Sequence, residues 1–360
     1  MKSNFNLKSL VRDNIKALKP YSSARDEYKD ISSDQMIFLD ANENPFENGV
    51  NRYPDPQQTT VKKLLSQIKK VSAENILLGN GSDEVLDLIM RAFCEPKIDN
   101  IITLPPTYGM YGVLASINAI ENRKVVLTKD FQPKVNQILA SVNSNTKIIF
   151  LCSPNNPSGN SFLATSVEEL LSKFDGLVVI DEAYIDFSER ESWLKKIKYY
   201  PNLIITQTLS KAYGLAGIRL GVCYASSEII TILNTLKPPY NVNELTQQKA
   251  MERLLKIDQV HKEILLIIKE RKLVVNALEN IDFVAKIYPT DCNFVLVKVD
   301  DADKRYQQLI ENGIVVRNRT TQPLCENCLR FTIGTVIENE KLIQSLQFIS
   351  KSHTGVGNEQ

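Results

Sequence analysis

From about residue 75 the chain alternates short apolar runs with stretches whose apolar residues recur at helical spacing, which predicts a mainly parallel sheet covered by helices. The strand-like runs are Asn75–Leu78, Ile101–Leu104, Lys124–Leu127, Lys147–Cys152, Leu177–Ile180, Leu203–Thr206 and Arg219–Tyr224, a seven-stranded set. After the paired prolines Pro238 and Pro239 the texture changes. One long amphipathic helix is expected over Glu244–Glu279, then an alternating strand, helix and strand region to about Ile333, and a last helix near Asn339–Ser350. The expected fold is therefore α/β: a large domain over 46–240 and a smaller α+β domain over 241–350. Ahead of them, 1–45 reads as an arm joining the small domain, and 351–360 as a disordered tail. Within the large domain Asn51-Arg-Tyr-Pro-Asp-Pro56 is stiffened by its prolines, so Tyr53 projects from a rigid loop.

Composition removes several alternatives. The 360 residues carry 43 Lys plus Arg against 42 Asp plus Glu, so no global charge favours nucleic acid or membrane, and small-molecule partners are expected. No run approaches the roughly 20 apolar residues of a spanning helix, and Met1–Arg12 lacks a signal-peptide core, which points to the cytoplasm. Six scattered cysteines make no disulfide framework. Cys325 and Cys328 form one close pair, but a zinc site needs four ligands and no second pair exists, so no metal is expected.

The chemistry gathers where strands end. In Thr208-Leu-Ser-Lys-Ala-Tyr-Gly-Leu-Ala-Gly-Ile-Arg219, apolar neighbours are expected to desolvate Lys211 and lower its pKa toward the nucleophilic amine, which can form a Schiff base with an aldehyde. Thr208, Ser210 and Arg219 can hold an anion beside it, and an aldehyde bearing a phosphate describes pyridoxal phosphate. Gly79-Asn-Gly-Ser-Asp-Glu84 links a strand to a helix, so Ser82 or Asp83 can cap that helix while its first N–H groups face a phosphate. Tyr108, after the next strand, can lie over a heteroaromatic ring, or simply pack at a helix start. Ser153-Pro-Asn-Asn-Pro-Ser-Gly159 makes a rigid turn at the carboxyl end of the sheet, and its Asn156 suits a phenolate oxygen. Asp181 ends an apolar strand and, buried, requires a partner such as a pyridinium nitrogen; metal ligation and helix capping are the other readings. Tyr184 can reach the same ring oxygen as Asn156.

Taken in order, phosphate loop, tyrosine, asparagine turn, aspartate strand and lysine loop resemble the fold-type I pyridoxal phosphate aminotransferases, and within them the histidinol-phosphate aminotransferases. The resemblance runs from Pro20-Tyr-Ser-Ser-Ala-Arg25 through Ala41-Asn-Glu-Asn-Pro45, Arg52-Tyr-Pro54, Pro105-Pro-Thr-Tyr-Gly-Met-Tyr111, Asn156-Pro-Ser-Gly159, Asp181-Glu-Ala-Tyr184 and Ser210-Lys211 to Leu329-Arg-Phe-Thr-Ile-Gly-Thr335. It implies that Lys211 carries the cofactor and shuttles a proton, that Asp181 pairs with the ring nitrogen, that Asn156 and Tyr184 meet the ring oxygen, and that Tyr108 stacks on the ring. Ser82, Asp83, Thr208, Ser210 and Arg219 would surround the phosphate, with Tyr53 entering from the second subunit of a homodimer. Arg330 would clamp a substrate carboxylate, and Tyr21 and Arg317 would meet the phosphate of a phosphorylated amino alcohol. Glutamate and 2-oxoglutarate would be the exchange pair. Ser158 stands where threonine is commoner in the family, and the turn needs only a small hydroxyl residue. An aromatic aminotransferase and a phosphothreonine decarboxylase share this constellation.

Overall fold

A computed structural model describes residues 5–19 and 37–354. Seven strands, β1 Ile76–Asn80, β2 Asn100–Thr103, β3 Glu121–Lys124, β4 Thr146–Cys152, β5 Leu177–Asp181, β6 Leu203–Thr208 and β7 Leu220–Tyr224, form one sheet in the order β1-β7-β6-β5-β4-β2-β3. Strands β3, β2, β4, β5 and β6 run parallel, and β7 runs against both of its neighbours. Central strands are apolar at successive positions because helices cover both faces. Within β4, Ile149 and Leu151 enter one apolar layer, whereas Ile148, Phe150 and Cys152 enter the other. A second sheet, order β10-β11-β9-β8, is wholly antiparallel and comprises β8 Val284–Ile287, β9 Phe294–Val299, β10 Arg317–Asn318 and β11 Cys328–Thr332. Phe294, Leu296 and Cys328 join a face of the large sheet, while Val295, Val297 and Leu329 build a separate core with the last helix, Val336–Thr354.

Three expectations change. The third strand lies at Glu121–Lys124, upstream of the apolar run assigned to it, because an exposed edge strand can be polar while Val125 and Leu127 bury themselves just beyond it. The single long helix is two, Glu244–Leu254 and Ile257–Leu278. The break at Leu255 and Lys256 lets the first pack on the helix Thr59–Lys69 and the second reach the last helix. The described start of the N-terminal arm packs on the large sheet's helical layer instead of the small domain: Val11 joins that layer's core, and Arg12 Nε donates to Glu95 at 3.0 Å. Most of the rest of the arm, and the tail from 355, lie outside the described residues.

The topology fixes where chemistry can occur. Register pairs Cys152 with Asp181, Asp181 with Thr206, Thr208 with Gly221, and Asn80 with Leu220. The ends of β1, β4, β5 and β6 and the start of β7 thus share one edge of the sheet, where open α/β sheets hold ligands.

Candidate active site

At that edge lies a cavity of about 270 Å³. Its walls include Ser82, Asp83, Tyr108, Asn156, Asp181, Tyr184, Thr208, Ser210, Lys211, Arg219, Arg317 and Arg330, so residues spread over some 250 positions meet in one place. Cys152, Ala183 and Arg319 complete the lining. Tyr53 is elsewhere, half-exposed and stacked on Tyr240 with ring centroids 4.6 Å apart. Tyr21 lies outside the described residues.

One end of the cavity is a cradle for an anion. The helix Ser82–Phe93 begins there, with Gly81 at φ +82°, a conformation that favours glycine. A Cβ on Gly81 would approach Arg219 Nη2 to 2.8 Å, and one on Gly221 would meet the Ser82 backbone nitrogen at 2.2 Å. Backbone therefore passes close beneath the helix start, and Arg219 lies across it. Ser210 N–H donates to Thr208 Oγ at 3.1 Å, closing the turn that leads to Lys211. Asp83 faces the cavity but is engaged by protein: Tyr108 Oη donates to it at 3.0 Å, and Arg219 Nη2 stands 3.8 Å away. Its carboxylate is thus a brace for Tyr108 and Arg219.

Across the cavity, Asp181 is only 3% exposed. Burial pushes its carboxyl upward, opposed by the Tyr111 hydroxyl, which donates to Oδ2 at 2.7 Å, and by the Ala183 N–H, which donates to Oδ1 at 3.2 Å. Neither donor carries charge, so a cation is what this acid lacks. Tyr111 is itself fully buried and stacked on Phe150 at 5.0 Å.

Asn156 is held by its turn and by the second sheet. The preceding Asn155 donates to the Pro106 carbonyl at 3.0 Å and to Ser158 Oγ at 2.7 Å, and Ser158 Oγ donates to Asn160 Oδ1 at 2.6 Å. Ser158 therefore supplies the small hydroxyl that the turn needs. Arg330 Nη1 donates to Asn156 Oδ1 at 2.5 Å, which orients the asparagine amide and leaves its N–H hydrogens for another acceptor.

Lys211 differs from the expectation in one respect. Its sequence neighbours wall it in only in part: Ala212 is buried and Leu215 and Ile218 are half-buried, but Ala216 is exposed, and the Lys211 side chain projects into the cavity with Nζ 5.7 Å from the centre of the Tyr184 ring. Its pKa is still lowered, first by burial within the cavity and then by the Arg330 and Arg219 guanidiniums. Arg330 in turn is pushed down to about 10 by burial and by Arg319.

The cavity offers a phosphate cradle, a buried acid short of a cation, an oriented amide, and an amine whose proton is loosely held. Those are the complementary groups for pyridoxal phosphate, and a Cβ at Gly81 would press on Arg219, while one at Gly221 would push the start of the helix away. Among the described residues no cluster of His, Cys, Asp and Glu could hold a metal, and no helix is long and apolar enough to cross a membrane.

Residues 36–346 match the family model described as aminotransferase class I and II. The chain is 66% identical, over 97% of its length and 100% of the relative's, to a histidinol-phosphate aminotransferase of Flavobacterium johnsoniae. It is 52% identical to one of Bacteroides thetaiotaomicron, over 95% of this chain and 98% of the relative. Among solved structures it resembles the histidinol-phosphate aminotransferase of Clostridium acetobutylicum, with a TM-score of 0.77 at 24% identity, covering 84% of this chain and 92% of that one. The Sinorhizobium meliloti histidinol-phosphate aminotransferase in complex with pyridoxal-5'-phosphate gives 0.75 at 23%, covering 84% and 83%.

Proposed function

Because this chain belongs to the class I and II aminotransferases, we propose that it passes the amino group of histidinol phosphate to 2-oxoglutarate, yielding imidazole acetol phosphate and glutamate on the way to histidine. Relatives named for that activity match nearly its whole length at 48% to 66% identity.

The enzyme uses pyridoxal phosphate, which when bound supplies a carbonyl that takes up the amino group and a ring that withdraws electrons from the substrate's Cα–H bond. Each residue has a corresponding task in this reading. Ser82, Thr208, Ser210 and Arg219 hold the cofactor phosphate in the cradle. Asp181, whose two oxygens accept from the Tyr111 hydroxyl and the Ala183 N–H, would hold positive charge on the ring nitrogen. Asn156 and Tyr184 donate to the ring oxygen, Asn156 being turned that way by Arg330, while Tyr108 covers the ring and Asp83 braces Tyr108. Lys211 Nζ would anchor the cofactor and afterwards carry the proton from the substrate's Cα to the cofactor's C4′ carbon, a role that its lowered pKa suits. Arg317 and Arg330 lie directly opposite each other on β10 and β11. Cross-strand neighbours share a face, so two guanidiniums can grip one anionic group.

The working unit in this reading is a cytoplasmic homodimer in which Tyr53 of the partner subunit completes the phosphate cradle. What favours it is the position of Tyr53, on a stiff loop away from its own cavity.

The observation that carries the reaction is the convergence of Lys211, Asp181 and Asn156 with opposed arginines in one cavity. Amino transfer to 2-oxoglutarate from histidinol phosphate, phenylalanine and phosphothreonine tests it, with histidinol phosphate expected to be the best donor. Carbon dioxide release from phosphothreonine, or preference for phenylalanine, would overturn the substrate assignment.

A further inference from the structure

Beside Arg317 and Arg330 the cavity holds a further arginine that the sequence pattern hides. Arg319 lies two residues beyond Arg317, and its backbone N–H donates to the Cys328 carbonyl at 2.8 Å, extending the β10–β11 pairing past Asn318. Alternation along the strand sends Arg317 and Arg319 to the face that Arg330 shares, while Asn318 turns away and donates to Asp303. Arg319 is half-buried, and its Nε is buried with no hydrogen-bond partner; Arg330 Nε is in the same condition.

That condition is unlike the treatment of other arginines in this protein. Arg305, 1% exposed, places two nitrogens on Asp300 at 2.9 and 2.6 Å. Arg12, Arg52, Arg123 and Arg253 each pair with a glutamate. Among the described residues no carboxylate forms an ion pair with Arg317, Arg319 or Arg330. Three cations sharing one concave face repel one another, and each is harder to keep charged because of the others: burial and Arg317 push Arg319 down, and Arg319 contributes more to the lowering at Arg330 than Arg317 does. An arrangement that is unfavourable when empty is stabilised by a ligand carrying more than one negative charge.

The two amino donors present such charge differently: glutamate spreads it over two separate carboxylates, whereas the phosphorylated amine concentrates it on one group. A carboxylate has one charge and two oxygens, which a single guanidinium fork satisfies. A phosphate monoester has close to two charges and three terminal oxygens, and it extends farther from the reacting carbon. We propose that Arg319 is a specificity-determining residue that binds the part of the substrate phosphate exceeding a carboxylate's charge and oxygen count, so that it serves the phosphorylated amine and is dispensable for glutamate. This assignment rests on the reading of histidinol phosphate as substrate.

Holoenzyme carrying Arg319→Gln, compared with wild type in the two half-reactions separately, tests it. The kcat/KM for histidinol phosphate is expected to fall at least about tenfold, the equivalent of about 1.4 kcal/mol of transition-state binding, while that for glutamate changes less than about twofold. Inorganic phosphate should inhibit the wild-type glutamate half-reaction and do so at least about tenfold less well in the variant. Arg319→Lys, which keeps the charge but loses the fork, should fall between the two. Equal losses on both substrates would make Arg319 a structural residue, and an unchanged histidinol phosphate reaction would remove it from the site. A wild-type enzyme that ignores histidinol phosphate would instead overturn the substrate reading, and phosphate inhibition would still report whether Arg319 binds the anion.

Discussion

Tyr111 donates its hydroxyl hydrogen to Asp181 across 2.7 Å, although 70 residues separate them. The bond fixes one carboxylate oxygen inside a cavity where burial would otherwise favour the neutral acid. In the proposed mechanism Asp181 must stay ionised, so Tyr111 acts on the cofactor through Asp181. In Tyr111→Phe the stack on Phe150 survives and only the donor is lost. A hydrogen bond to a charged group contributes about 1.5 to 3 kcal/mol, so cofactor affinity and kcat should each fall about tenfold or more. Asp181 would protonate at higher pH without that donor, and the acid limb of the kcat profile should move to higher pH. An unshifted acid limb would mean that Tyr111 only packs.

Lys211 should be the sole covalent attachment point. Reduction of the yellow holoenzyme with borohydride, followed by peptide mapping, is expected to leave a pyridoxyl group on Lys211. A label on another lysine would displace the assignment. Lys211→Ala should still bind cofactor through the phosphate cradle and Asp181, with turnover reduced by several orders of magnitude.

The lowered pKa of Lys211 sets the pH dependence of cofactor capture by apoenzyme. Only the neutral amine attacks an aldehyde, so the capture rate should rise with pH through a midpoint below the ordinary 10.5 of a lysine. Burial is the largest cause, and the Arg330 cation comes next. Arg330→Gln removes that repulsion, stabilises the ammonium and should move the midpoint upward in stopped-flow absorbance measurements. A midpoint that stays in place would leave burial and Arg219 as the causes.

Gly81 gives a sharp test of the cradle. Alanine there adds backbone strain of about 1 to 3 kcal/mol, because φ +82° with ψ 163° is a conformation essentially confined to glycine, and it drives a methyl group toward Arg219 Nη2, at 2.8 Å. Pyridoxal phosphate affinity should fall at least about tenfold, with a much smaller effect on pyridoxal, which has no phosphate to lose. Gly217→Ala, whose Cβ meets nothing within 4 Å, is the matched control. Equal losses for pyridoxal and its phosphate would show a general folding defect.

Much of this site is visible in the chain because each element ends a strand in residues whose chemistry has a local signature. Asp181 closes the apolar run Leu177–Ile180, Asn156 sits in a proline-bounded turn, and Ser82 follows glycines. What escaped has no such signature. Tyr111 occupies a helical position at core spacing, and only the fold brings its hydroxyl to Asp181. Arg319 sits in Arg317-Asn-Arg-Thr320, which reads as a solvated segment until β10 is paired with β11 and its alternation is known. The helix break at Leu255 and Lys256 involves neither proline nor glycine, and β3 is an edge strand whose polar pattern, Glu121-Asn-Arg-Lys124, carries no apolar period. Local sequence thus encodes groups at strand ends well, and pairwise contacts across elements poorly.

Tyr53 distinguishes a shared site from a self-contained one. Its backbone N–H donates to Glu43 Oε1 at 2.6 Å, and the neighbouring Arg52 donates to the same carboxylate at 2.8 Å, so the loop is braced by the residues that precede it. That bracing presents the tyrosine outward against Tyr240, away from the cavity of its own chain. If the ring serves a partner's cofactor, Tyr53→Ala and Lys211→Ala impair different halves of one site. Random re-assortment of equal amounts makes half of the dimers mixed, and each mixed dimer holds one intact site of two, so about a quarter of wild-type activity should return. Dimers that re-assort, as verified by tagged pull-down, yet show no more activity than the parents would mean that Tyr53 acts only within its own subunit.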